Sequence, residues 1–168
     1  MGGSGGGGIP SDNFRKLEDR AKQELKQASR EEVSHHVFIS FAYEDIDEVN
    51  LLRGQTKSDK TDLQFDDYSV KEAFDSTNAD YIKRQIREKL DRTSVTVVYL
   101  SDICPKSEWV NWEIEESIRR GKGVIGVYKG NAPPANVPRA FAENNCKSVK
   151  WSHDELMNAI KEANKKRE

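Results

Sequence analysis

VTVVYL (residues 95–100), SDICPK (101–106) and SEWVNWEIEESIRR (107–120) follow one another directly, and their reading decides the fold. The first run is continuous, apolar and rich in β-branched residues, which suits a central strand buried on both faces. The second is a short polar turn. The third is helical: Val110, Ile114, Ser117 and Ile118 share one stripe, and Gly121 follows where a helix C-cap favours glycine. A buried strand feeding a helix through a short loop is half of a βαβ unit. In such folds, ligands bind at the carboxyl ends of the strands. On the helical wheel Glu113 lies on one flank of the stripe, beside Ser117, with Trp109 one turn earlier on the same flank. Glu116 and Arg120 continue outward, and Trp112 points nearly opposite the core. Glu113 is therefore expected on a border, partly desolvated. That position leaves two readings open: a carboxylate tuned for chemistry, or a solvated flank residue of a common kind.

Outward from this segment, the rest of the chain alternates strand and helix. On the amino-terminal side, residues 36–41 (HVFISF) read as a strand, 43–47 (YEDID) as an acidic turn, and 49–53 as a short helix. Residues 54–61 (GQTKSDKT) read as a polar loop. Residues 62–67 (DLQFDD) alternate Leu63 and Phe65 with polar neighbours, the pattern of an outer strand with one wet face. A polar stretch covers 68–77. Residues 78–92 form a helix, with Ile82, Ile86 and Leu90 four apart and Lys83, Arg84 and Arg87 outside. On the carboxyl-terminal side, 124–128 (VIGVY) is a buried strand. Residues 131–138 (NAPPANVP) form a loop, because three prolines cannot continue a helix, and Phe141 anchors it. Residues 148–151 are a short strand and 152–166 a final helix. The pattern predicts an α/β, flavodoxin-like three-layer sandwich around a central parallel sheet of about five strands, ordered 2-1-3-4-5.

Three segments precede or make up this domain. Residues 1–10 (MGGSGGGGIP) form a flexible glycine-rich tail. Residues 11–34 comprise an N-terminal amphipathic helix (11–30) and a linker (31–34). Phe14, Leu17, Ala21, Leu25 and Ala28 give that helix a thin apolar stripe, for docking on the domain edge or for a partner. The domain proper is 35–168.

With 168 residues, 35% hydrophobic and 33% charged, the chain fits one domain with a well-solvated surface. Its formal net charge of -2 gives no support for bulk nucleic-acid binding. Cys104 and Cys146 match no metal spacing and read as reduced thiols. His35 and His36 point to opposite faces of a strand start, His153 is isolated, and no metal is expected. No apolar run approaches the roughly 20 residues of a membrane span, and no signal peptide is evident, so a cytoplasmic protein without membrane attachment is expected.

HVFISFAYED (36–45), SVTVVYLSD (94–102) and SEWVNWEIEESIRRGKGVIGVYKG (107–130) together resemble the TIR superfamily. The nearest resemblance is to the TIR-like branch that includes the TIR subunit of Thoeris anti-phage defence systems. It covers roughly residues 35–151. Its most specific part is the W-x-x-x-E pattern of Trp109 and Glu113 after the 95–100 strand, where NAD-cleaving TIR domains carry their catalytic glutamate. The proline-rich 131–138 departs from TIR domains that carry a helix there, and puts in doubt any assembly surface borrowed from receptor TIR domains.

The resemblance implies cleavage of the nicotinamide–ribose bond of NAD, with Glu113 catalytic. Trp109 would line the pocket or orient the helix start. Phe41, Tyr43 and Asp45 are candidates for the nicotinamide side, and Ser101 and Asp102 for ribose or phosphate. With no G-x-G-x-x-G or P-loop, NAD would be a substrate and no cofactor is needed. Product would be ADP-ribose or a cyclic isomer, sensed by an effector protein, and TIR self-association would make the enzyme a homo-oligomer. Two alternatives stay open. One is a non-enzymatic TIR interaction module using Trp112 and the N-terminal helix. The other is a receiver-like domain with Glu44 and Asp45 as acidic pair, Asp102 as phosphoacceptor and Lys129 as the later lysine.

Overall fold

A computed structural model describes residues 11–34, 36–58, 63–68 and 74–165; the side chains of 11–12, 26–34 and 57–58 are not described. The glycine-rich tail, His35, the end of the 54–61 loop, Asp62, residues 69–73 of the polar stretch and residues 166–168 lie outside the described residues. The chain divides into two compact units, Met1–Glu32 and Val33–Glu168. The first is dominated by helix α1, Ser11–Ser34. It runs on through 31–34, so the expected linker continues the helix. Arg20 and Glu24, one turn apart, form an exposed pair 3.8 Å apart.

The second unit contains a five-stranded sheet built from β1 (His36–Ser40), β2 (Gln64–Asp66), β3 (Val95–Tyr99), β4 (Gly123–Tyr128) and β5 (Lys147–Lys150). The order is β2-β1-β3-β4-β5, with every pairing parallel. The expected α/β class, strand number and order are all present. Register sets Val37 beside Val95, Val97 beside Ile125 and Val127 beside Val149. Five residues of β3 are wholly buried, as an unbroken apolar run at the sheet centre requires.

The two-residue period of the strands divides the core. Val37, Ile39, Val95, Val97, Ile125 and Val127 face α2 (Ile46–Ser58) and α6 (His153–Lys165), meeting Val49, Leu52, Leu156 and Ile160. Phe38 faces the other way onto Ile82, Ile86 and Leu90 of α3 (Ala79–Asp91). Val98 meets Val110 and Ile114 of α4 (Glu108–Arg119), and Ala140 and Phe141 of α5 (Arg139–Glu143). Three layers result.

Several elements differ from expectation. α2 is longer than the expected 49–53 and passes through Gly54 into the region read as loop. Val49, Leu52 and Thr56 lie on its buried side, and the Thr56 hydroxyl donates to the Leu52 carbonyl at 3.0 Å. That burial outweighs the low helix propensity of one exposed glycine. After the proline-rich loop, α5 appears as a short helix. The Asn111 side-chain oxygen accepts from the Ala140 N–H at 3.1 Å, and Phe141 anchors the element against β4. There a Cβ at Gly126 would fall 2.7 Å from both the Phe141 ring and Leu100. α4 ends as expected. Gly121, at φ 71°, donates to the Ile118 carbonyl, and Lys122 to that of Ser117, both at 2.9 Å. This is the paired bonding of a glycine C-cap.

Candidate active site

The carboxyl ends of β1, β3 and β4 carry the candidate site. β1 leads through Phe41 and Ala42 into a tight helical turn, Tyr43–Asp45. β3 leads through Ser101 and Asp102 into a second turn, Cys104–Lys106. Ser101 links the two. Its hydroxyl donates to the Asp45 carboxylate and accepts from the Ile103 and Cys104 N–H groups at 3.3 and 3.1 Å. The Cys104 thiol donates to the Ser101 carbonyl at 3.2 Å. Burial pushes this thiol upward, so it stays neutral and closes the turn.

Burial also raises the Asp45 carboxyl. The Ser101 hydrogen bond opposes that rise, while Glu48, Glu44 and Asp102 add to it. Tyr99 donates its hydroxyl to Glu48. Burial first, and then this acceptor, hold the phenol protonated.

Two clefts open at this edge. The first, about 190 Å³, is lined by Phe41, Tyr43, Glu44, Ile103, Lys106, Ser107 and Trp109. The second, about 470 Å³, is lined among others by Asp45, Glu48, Tyr99, Ser101, Asp102 and Lys129. Ile103 lines both, so they are neighbours. Of the seven residues singled out in the sequence, Phe41, Tyr43 and Trp109 share the aromatic cleft. Asp45, Ser101 and Asp102 share the acidic one. Glu113 lines neither.

Glu113 instead lies wholly buried, at 0% exposure, one turn behind Trp109. The expected border position is thereby corrected. α4 is flanked by α3 on one side and α5 on the other, so both edges of its stripe are covered as well as its centre. Its backbone carbonyl accepts from the Ser117 hydroxyl at 2.6 Å, and Ser117 meets Thr96 of β3 at 2.8 Å. Glu116 was also expected outside, and it too is buried, held by Arg87, Arg119 and Arg120 at 3.0, 2.9 and 3.1 Å. Arg120 reaches back to Glu116 and across to Asp91 of α3, so it serves the contact between the helices. Trp112 does not point away from the core. It is half-buried, edge-on to Trp109 with ring centroids 5.9 Å apart, and Lys83 and Arg87 of α3 lie over its face. Phe74 completes this cluster, 4.9 Å from Trp109.

Ser107 starts α4 as N-cap, accepting from the Val110 N–H at 3.2 Å, so the helix and its tryptophan are fixed at the cleft. Sequence reading passed over Glu48, Tyr99 and Lys106. One signal was available: a tyrosine ending an otherwise apolar strand needs a partner for its hydroxyl. The acidic pair of a receiver-like site is divided here, Glu44 lining one cleft and Asp45 the other. Among the described residues, no three His, Cys, Asp or Glu side chains are grouped to hold a metal ion.

A parallel α/β domain with this strand order, and with an aromatic and an acidic cleft at the carboxyl edge of its sheet, belongs to the flavodoxin-like fold class. Within that class, residues 38–133 match the family described as Thoeris protein ThsB, TIR-like domain, and the chain belongs to that family. A Bacillus cereus (strain MSX-D12) protein, provisionally named cyclic ADP-D-ribose synthase ThsB1, is 33% identical over 100 residues. The match takes in 57% of this chain and 52% of that relative, so the chain spans about half of the relative's length. The TIR domain of the Toll-related receptor TRR-2 from Hydra magnipapillata aligns with a TM-score of 0.47 at 16% identity. That alignment covers 75% of this chain and 91% of the other.

Proposed function

We propose that this chain cleaves the nicotinamide–ribose bond of NAD, with Glu113 as its catalytic carboxylate. The observation carrying the proposal is Glu113 itself: a buried acid one turn behind Trp109, which lines the aromatic cleft at the carboxyl edge of the sheet. Family membership and the name of the Bacillus relative support the same chemistry. Nicotinamide leaves as a neutral base from a cationic precursor, so no acid has to protonate it. Positive charge develops at the ribose carbon, as in glycoside hydrolysis, and a nearby carboxylate stabilises it.

In this reading, Phe41, Tyr43 and Trp109 receive the nicotinamide end. Asp45, Ser101 and Asp102 receive ribose hydroxyls, with Lys129 across the acidic cleft for phosphate. Glu113, one turn behind Trp109, is the carboxylate assigned to the ribose. Attack by water gives ADP-ribose and a proton. Attack by a nucleophilic atom of the same molecule gives a cyclic isomer. The product serves as an anti-phage signal read by a separate effector protein, and self-association of the enzyme accompanies activity.

Glu113→Gln keeps the shape and removes the ionisable carboxyl. Nicotinamide release, followed by chromatography and mass spectrometry, should fall at least about 100-fold, the usual scale for losing a main electrostatic stabiliser. A folded Glu113→Gln protein with undiminished NAD cleavage would overturn the assignment.

A further inference from the structure

β4 has a cavity at each end. Its carboxyl end meets the acidic cleft, and its amino end, Gly123–Ile125, lines a separate cavity of about 340 Å³. That size is within the roughly 300–1,000 Å³ range of small-molecule sites. Ile118 from the end of α4, Val149 of β5, and Ala159 and Ala163 of α6 supply apolar lining. Small residues shape its walls. β4 and α6 touch at Gly123, where an added Cβ would lie 2.9 Å from that of Ala163. The two alanines on α6 leave open what longer side chains would fill.

Cys146 also lines the cavity. Burial pushes its thiol up to about 11, so at neutral pH it is an uncharged part of the wall. The charged lining residues are Lys122, Lys147 and Glu162: two cations and one anion, an excess of one positive charge. Lys147 is exposed and forms no ion pair among the described residues. An apolar interior beneath a net positive lining is complementary to one kind of molecule.

We propose that this cavity is a second small-molecule site, taking a soluble ligand with an apolar body and one acidic group. It is remote from the two clefts, and the inference does not depend on NAD cleavage. It does bear on α4, whose last turn lines this cavity and whose first turn lines the aromatic cleft.

The test uses the full chain with anilinonaphthalene sulfonate, an apolar fluorophore with one anionic group. Saturable binding of one dye per chain is expected, with displacement by octanoate and much weaker displacement by octanol. Lys147→Glu should weaken dye binding roughly tenfold, the effect of reversing one nearby charge. Ala159→Phe should abolish it by filling the space. Because so large a side chain can disturb folding, the unmodified chain supplies a second measurement. Bound dye should slow alkylation of Cys146 several-fold, read at peptide level. Dye binding that leaves Cys146 alkylation unchanged would overturn the proposal, as would equal displacement by octanol. Dye that binds only while dissociating a dimer would assign the cavity to a second copy of the chain and overturn it too.

Discussion

Ser101 shows how one hydroxyl organises the site. It donates to Asp45 and accepts two backbone N–H groups, so it ties the β1 turn to the β3 turn. Ser101→Ala should raise the Asp45 carboxyl further, since the opposing hydrogen bond is lost while burial and the neighbouring acids remain. The sign for stability follows. A carboxyl raised in the folded state binds more protons folded than unfolded between the ordinary value, about 3.9, and its raised value. Stability therefore falls as pH rises through that interval, and Ser101→Ala widens the interval upward. Carboxyl NMR titration and urea melts from pH 4 to 8 check both; an unmoved Asp45 would show that the hydrogen bond contributes little in solution.

At the scale of elements, two glycines have opposite meanings. Gly121 ends α4 in the left-handed region, where a side chain is strained. Gly54 lies inside α2 with ordinary helical geometry and open space where a Cβ would lie. Gly121→Ala should cost about 1 kcal/mol. Gly54→Ala should stabilise by about 0.5–1 kcal/mol through helix propensity and a less flexible unfolded chain. Thermal melts of the two variants should move in opposite directions. The sequence marked Gly121 correctly because the apolar stripe stops just before it. It misled at Gly54, where polar composition read as loop although Val49, Leu52 and Thr56 kept a helical buried face.

Across the whole molecule, α3 and α4 are joined by charge as well as packing. Although burial opposes it, the three arginines around Glu116 hold its carboxyl below the usual range. Its contribution is therefore present in full above the unfolded value, near 4.3, and is lost as pH falls through the depressed one. Glu116→Gln should cost about 1–3 kcal/mol at neutral pH, discounted because the arginines remain partly exposed. Urea melts should show that deficit shrinking below pH 4. A constant deficit would mean that shape, and not charge, joins the helices.

The parallel sheet, its order and the helix carrying Glu113 were legible in the amino-acid sequence. These depend on local periods of two and 3.6 residues, and on which runs are apolar enough to be buried on both faces. With the family resemblance the sequence also picked out six residues that do meet at the carboxyl edge: five follow strand ends, readable wherever an apolar run stops, and Trp109 came from the W-x-x-x-E pattern. The surroundings of α4 were set by packing between elements distant in the chain. A helical wheel has one buried side, but a helix laid on a sheet between two other helices has three. That is why Glu113 and Glu116 are buried and why Trp112 lies under Lys83 and Arg87.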